Sequence, residues 1–361
     1  TGTGGYVKVG RKGNAKWNFS ETFTWSSPGF DLNDMGYMKE TDYLMNETEI
    51  MYRQTDIWKI FRYNAFTLSQ KNMWNYGGTP FSNNASLRWQ SMTMNRYEWD
   101  VKETFAWNWL DSRLLRGGPD VRFGSYFLTS AKFNTDKAKR MMFMLKYEGD
   151  HNFEGNRFNT ISPSLTFRLG NHVYLSGQLD YAWNTDEMQY VATTSPLSSS
   201  SLTPYYYVMG HMDQKTYGLT LKLQVNVTPD ISIQFYGAPF TSIAKYDDFK
   251  LAADTKSHTF ENRFQRIDPD QLTYADGVYT IGEGAGQMPF RNPDFRFNEF
   301  RSNLVARWEY LPGSTLYFVW EHRMSNRDNW YSSGWGSNLD RMWGLPATNT
   351  FMIKMNYWFN L

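Results

Sequence analysis

Apolar and polar residues alternate along most of this chain, most cleanly near its end. Over 347–361 the odd positions include Phe351, Ile353, Met355, Tyr357, Phe359 and Leu361. The even positions include Thr348, Thr350, Lys354, Asn356 and Asn360, with Met352 and Trp358 as apolar exceptions. Such a segment has one apolar and one polar face as a strand, and no coherent face as a helix. Tyr217, Leu219, Leu221, Leu223, Val225 and Val227 alternate in the same way with Thr216, Gly218, Thr220, Lys222, Gln224 and Asn226. So do Val173, Leu175, Leu179, Tyr181 and Trp183 with Ser176, Gln178, Asp180 and Asn184. Repeating the exercise places strands near 15–26, 41–54, 57–74, 82–94, 96–110, 119–134, 139–150, 156–169, 172–192, 204–227, 231–247, 295–310, 313–326 and 347–361. A partial strand falls near 5–11. No helix-period segment of useful length and no internal repeat emerges.

Short connections hold turn chemistry, as at Gly170-Asn171, Thr228-Pro229-Asp230 and Leu311-Pro312-Gly313-Ser314, because Gly and Asn accept positive φ and Pro presets it. Long polar connections cover 28–40, 193–203, 248–293 and 327–346, and the two kinds are expected to alternate strictly. The strands often reach 13 to 20 residues by this reading, whereas soluble strands centre on about 5–6. Aromatic rings bunch towards strand ends: Trp17 and Trp25, Trp107 and Trp109, Tyr181 and Trp183, Trp308 and Tyr310, Tyr357 and Phe359. Long strands, alternating connections and two aromatic girdles together predict an all-β, transmembrane, antiparallel up-and-down β-barrel of 14 or more strands, with short periplasmic turns and long extracellular loops.

Composition narrows the class. Aromatics make up 18% of the chain while mean hydropathy is −0.62, a pairing that suits a barrel with a wet lumen better than a soluble core rich in Leu, Ile and Val. No apolar run approaches the roughly 20 residues of a spanning helix. With 37 basic and 36 acidic residues the chain lacks the basic excess that nucleic acid requires. Cysteine is absent, which removes disulfides, thiolate nucleophiles and Cys-based zinc sites. No cofactor or metal is expected. The start at Thr1-Gly2-Thr3-Gly4-Gly5 fits removal of a signal peptide or membership of a longer polypeptide. The chain is expected not to make a complete barrel by itself, since a genuine strand near 5–11 brings the count to 15 and single-chain barrels have even numbers. The competing reading closes 15–26 against 348–360 in a 14-strand barrel.

Three segments carry a resemblance: Ser27-Pro28-Gly29-Phe30-Asp31-Leu32-Asn33-Asp34-Met35-Gly36, Arg301-Ser302-Asn303-Leu304-Val305-Ala306-Arg307-Trp308-Glu309-Tyr310-Leu311-Pro312-Gly313-Ser314, and Lys354-Met355-Asn356-Tyr357-Trp358-Phe359. They resemble motifs of an uncharacterised outer-membrane family of Bacteroidota. Its members carry a family-9-like carbohydrate-binding module followed by a barrel domain of unknown function. The resemblance spans nearly all of this chain and lacks that module and the first part of the barrel. It implies a location and a fold, and no activity.

Candidate chemistry is sparse. The loop over 327–346 gathers Trp330, Tyr331, Trp335 and Trp343 beside Asp328 and Asp340, a set suited either to stacking on a glycan or to packing the loop on its neighbours. Asp31, Asn33 and Asp34 read as an Asx-turned loop, since the spacing that could hold calcium lacks the distal bidentate Glu of a calcium loop. The loop over 248–293 reads as a plug, a lid or a docking surface. Lys222, Glu299, Arg301, Arg307, Glu309, Glu321 and Arg323 are expected to face the lumen, where their mixed signs favour pairing over ion selection. Glu21 and Glu103 fall on otherwise apolar faces. Tyr357, Phe359 and Leu361 form the expected C-terminal assembly strand, read by the barrel-assembly machinery. The leading function is transport, binding or an envelope role around glycans or nutrients, in contact with outer-membrane lipid and lipopolysaccharide. A scaffold barrel that meets other outer-membrane proteins is the alternative, and a barrel enzyme lies behind both.

Overall fold

The computed structural model describes residues 2–31, 38, 40–107, 109–197, 205–329 and 334–359, apart from the side chains of Ala285 and Trp335. The strands in chain order are β1 (Gly4–Arg11), β2 (Trp17–Ser26), β3 (Tyr43–Gln54), β4 (Phe61–Trp74), β5 (Pro80–Thr93) and β6 (Glu98–Trp107). Two short ones follow, β7 (Trp109–Asp111) and β8 (Val121–Phe123). Then come β9 (Tyr126–Asn134), β10 (Met141–Asn152), β11 (Arg157–Leu169), β12 (Val173–Thr194), β13 (Tyr206–Asn226) and β14 (Ile231–Ala252). The chain goes on through β15 (Phe264–Arg266), β16 (Leu272–Ala275), β17 (Val278–Ile281) and β18 (Met288–Arg291), and ends with β19 (Phe295–Leu311), β20 (Ser314–Asp328) and β21 (Ala347–Asn356). Sixteen of these build one antiparallel sheet, ordered β1-β2-β3-β4-β5-β6-β9-β10-β11-β12-β13-β14-β19-β20-β21, with β15 hung on the far end of β14.

The sheet is all-β as expected and, as the fifteen-strand reading expected, it is not closed into a barrel. Among the described residues β1 pairs only with β2, and β21 only with β20. The segment near 5–11 is a full strand, so without β15 the path holds fifteen strands. In an alternating sheet an odd count leaves the first and last strands pointing the same way. Direct antiparallel closure of β1 on β21 is therefore impossible, and β2 pairs with β1 and β3 rather than with β21.

Register separates the two faces across the whole width. Lys8, Thr22, Glu47, Lys71 and Asn84 align on one face, while Phe19, Ile50, Leu68 and Leu87 align on the other. Further along, Ser176, Lys222, Tyr236, Asn303, Glu321 and Thr350 form a polar row. The adjacent row is Leu175, Leu223, Phe235, Leu304, Trp320 and Phe351. Because side chains alternate strictly, a one-residue slip anywhere would exchange the faces. The register holds from β1 to β21 with local bulges only.

Several connections differ from expectation. Tight turns at 75–79 and 153–156 lie at the same sheet end as the long loops, so long and short do not alternate strictly. In both, an Asn amide oxygen captures the turn backbone: Thr79 N donates to Asn75 Oδ1 (2.8 Å), and Glu154 N and Asn156 N to Asn152 Oδ1 (2.9 Å each). The expected strand over 119–134 contributes only β9 to the main sheet, since β8 pairs with β7. The loop over 248–293 is folded: β14 runs on to Ala252, and β16–β18 form a three-stranded sheet. The loop over 327–346 holds a helix, α1 (Trp335–Trp343). Trp335, Leu339, Met342 and Trp343 fall at i, i+4, i+7 and i+8 in it, an apolar stripe that the strand reading passed over. The last strand stops at Asn356, whose partner Thr315 is the second residue of β20. Beyond it the ladder has no partner, so Tyr357 and Phe359 lie outside the strand and exposed.

At the loop end β12–β14 rise beyond the rest of the sheet and carry two small cores. Leu115, Val121, Met188, Met209 and Phe264 form one; Val208, Phe249, Leu251, Ile281 and Phe290 form the other. Arg263, 1% exposed, ties the folded loop down. It pairs with Glu154 (2.8 Å) and donates to the carbonyls of Ser257, Arg122 and His258.

Candidate functional site

The most developed concavity lies at this loop end, on either side of Trp109. The β7–β8 hairpin, inserted between β6 and β9, holds the Trp109 ring 5.6 Å from Phe123 and 5.1 Å from Tyr126. Behind it the ladder places Asp150 opposite Phe158 and Phe158 opposite Asn184. A break in the β12–β13 register between Asp186 and Gln189 then turns the strand. Met188 enters the core there, fully buried, while Asp186 accepts its amide (2.9 Å) and lines the cavity. Such a bulge is a common way to re-aim one side chain. The resulting cavity of about 310 Å³ has Trp109, Phe123, Tyr126 and Phe158 as walls and Asp150 and Asp186 among its polar groups. A larger one of about 530 Å³ opens across Trp109 towards Asp42, Asn75, Phe81 and Arg113.

Asp186 is electrostatically unusual. Burial pushes its carboxyl above the ordinary range; the Met188 amide opposes the shift, and Glu187 and Asp150 add repulsion. Acidic groups of the larger cavity are otherwise engaged. Asp111 accepts the Arg113 and Leu114 amides, Asp42 accepts the Tyr76 amide, and Asp120 pairs with Lys256 (2.8 Å).

The residues singled out from sequence are placed elsewhere. Trp330, Tyr331 and Leu361 lie outside the described residues, as do Asn33 and Asp34 of the expected Asx-turned loop. Asp328 receives Arg296 Nη2 (2.5 Å) and Asn326 Nδ2 (3.0 Å), which anchors the start of the loop. Trp343 packs 4.9 Å from Phe300, and Asp340 is exposed on α1, which Trp335 begins. Among the described residues, Asp328, Asp340 and Trp343 line neither of the two cavities. The seven charges Lys222, Glu299, Arg301, Arg307, Glu309, Glu321 and Arg323 share the polar face. Glu299 bridges Arg301 and Arg323 at 2.9 Å each, and Arg307 meets Glu309 at 2.5 Å. On the apolar face Glu21 accepts a hydrogen bond from Thr48 (2.6 Å), and Glu103 from Thr129 (2.7 Å), each on the neighbouring strand.

Sequence reasoning took Trp109 for a girdle residue with Trp107, yet it stands off the main sheet and divides the two cavities. Asp150, Asp186 and Tyr126 were not singled out at all. The available signal was strand length. At 22 residues β12 far exceeds the about 5–6 of a soluble strand, and its far half carries Asp186 into the cavity.

The profile of one family, described as a domain of unknown function (DUF5916), matches residues 1–361. No curated protein and no solved structure matches the chain.

Proposed function

We propose that this chain, which belongs to the DUF5916 family, forms the wall of an outer-membrane β-barrel whose loop end receives a ligand for binding or transport. The observation that carries the reading is the segregation of faces over fifteen strands. Apart from Glu21, Glu103 and charges near the loop end such as Asp213 and Lys215, the charges keep to one face, and on the other Trp308, Phe318, Phe351 and Ile353 are exposed. A water-facing sheet gains nothing from such a surface, whereas hydrocarbon does. Strand length agrees: ten residues, as in β2, rise about 33 Å and span roughly 25 Å when tilted by about 40°. The polar face then lines the lumen, and the Trp109 cavities lie at its outer mouth. In lipid the free edges of β1 and β21 must be paired, either in a parallel seam or through an odd number of further antiparallel strands. Glycans and other nutrients are the ligands proposed, with lipopolysaccharide around the barrel and the assembly machinery as the route of insertion.

The paired charges on the polar face favour a second reading, a narrow or filled barrel that acts as a scaffold within a larger envelope assembly. Fractionation of the full-length protein, its heat-modifiable migration and its single-channel conductance test both. Membrane-embedded protein with discrete openings blocked by an oligosaccharide supports transport. An embedded, electrically silent protein favours the scaffold, and a protein recovered wholly in the soluble fraction overturns the membrane reading.

A further inference from the structure

We infer that the smaller cavity beside Trp109 binds an organic ammonium group, a deepening of the ligand-receiving mouth proposed above that rests on that reading. Its lining combines four aromatic rings (Trp109, Phe123, Tyr126 and Phe158) with two carboxylates, Asp150 and Asp186, and among the described residues no Lys, Arg or His lines it. The nearest basic groups are already occupied or lie outside. Lys250, whose charge reaches Asp186 from β14 and partly offsets its burial, pairs with Asp248 (3.3 Å) and sits 5.7 Å from the Phe260 and Phe264 rings. His151 follows Asp150 on the strand and so points to the opposite face, where it stacks on Phe127 (5.8 Å).

Of the other polar side chains there, Asn184 Nδ2 donates to Gln214 Oε1 (3.5 Å) and Thr185 Oγ1 to Asp213 Oδ1 (2.8 Å), while Asn152 and Asn156 serve as backbone acceptors. Asn152 Oδ1 accepts the Glu154 and Asn156 amides, and Asn156 Oδ1 accepts the Glu187 amide (2.7 Å). Two acceptor groups in an aromatic pocket thus lack a cationic partner. An ammonium group supplies donors to both carboxylates and a positive charge to the ring faces. A cavity of about 310 Å³ has room for one such group on a compact body, such as an amino sugar ring or a basic side chain. An anionic ligand is excluded by repulsion from Asp150 and Asp186.

Titration calorimetry on the full chain folded in detergent micelles tests this. The probes are the glucosamine trimer, its fully N-acetylated and therefore neutral counterpart, and trilysine. The inference expects the glucosamine trimer to bind at least ~10-fold more tightly than the neutral trimer, and Asp186→Asn to remove that preference, as loss of a close charge pair does. Trp109→Ala should weaken the same probe. Binding of trilysine without the glucosamine trimer also supports ammonium recognition and assigns its source to a basic peptide. Equal binding of charged and neutral trimers overturns the inference while leaving a ligand-binding mouth. Absence of binding by every probe, with strand content by circular dichroism intact, overturns it too. A failure of membrane insertion in cells overturns the outer-membrane reading alone, since the micelle assay does not depend on it.

Discussion

Glu154→Ala is expected to release the folded loop from the sheet without unfolding the sheet. Glu154 is the only carboxylate paired with Arg263 among the described residues, and the Arg263 side chain is 1% exposed. Its second oxygen also accepts the Gly124 amide (3.0 Å). Truncation therefore leaves a buried guanidinium without its counter-charge and strands one amide. Removing one member of a buried pair costs about 3–5 kcal/mol, and the lost amide bond adds about 1 kcal/mol. The cost falls on local opening of the segment over 253–266, which is held otherwise by Arg122 N to Thr255 O (2.9 Å), Thr255 Oγ1 to Asp120 O (2.7 Å), the Lys256–Asp120 pair, the β14–β15 ladder and Phe264 in its core. Since each 1.4 kcal/mol is about tenfold, amide exchange there should accelerate by about 100-fold or more. Hydrogen exchange read by mass spectrometry on the micelle-folded protein measures it, with the amides of β3–β5 as internal control. Replacing both partners by apolar residues (Arg263→Met with Glu154→Leu) should restore much of the protection. Exchange within about threefold of the unsubstituted protein, or acceleration spread equally over β3–β5, would falsify the assignment of the ion pair as the fastening.

His211 gives a pH dependence. Burial lowers its pKa, but Glu187, at 3.0 Å from Nδ1, together with Asp213 and Asp247 more than offsets this, so the folded value lies above 6.5. Its stabilisation is thus complete below the unfolded value and disappears as pH rises through the folded one. The gap in urea midpoint between unsubstituted protein and His211→Gln should be widest near pH 5.5 and close by about pH 8.5; a gap that grows with pH would contradict the pairing. Gly313 and Gly170 both adopt positive φ, +77° and +62°, but a Cβ on Gly313 would lie 3.1 Å from Trp358 Cβ, whereas on Gly170 nothing is nearer than 3.9 Å. Gly170→Ala should cost about 1 kcal/mol of strain and Gly313→Ala more, by chemical denaturation; equal costs would mean that Trp358 does not rest on that turn. For orientation, a cysteine at Asp270, in the folded loop, should label on intact cells with an impermeant reagent, and one at Asp230 only after lysis. The reverse pattern would invert the topology.

The sequence alone determined the strand ladder, because the information is local. A period of two, read over ten residues, fixes which side chains share a face, and Gly170, Pro229 and Gly313 fix where the chain must reverse. The same logic placed Lys222, Glu299, Arg301, Arg307, Glu309, Glu321 and Arg323 on one face before any coordinates. It also exposed Glu21 and Glu103 as exceptions, and the structure adds only their Thr48 and Thr129 partners. That the strands would not close by themselves was legible once a fifteenth strand near 5–11 was counted, but whether 4–11 pairs with 19–26 is a long-range fact and was not. Nor was the cavity. Trp109, Tyr126, Asp150 and Asp186 come from four elements and meet only through the β7–β8 hairpin and the bulge after Asp186. No local pattern encodes those, because the energy that fixes them lies in contacts such as Met188 in its core and Arg263 on Glu154, distant in sequence and adjacent only once the sheet has formed.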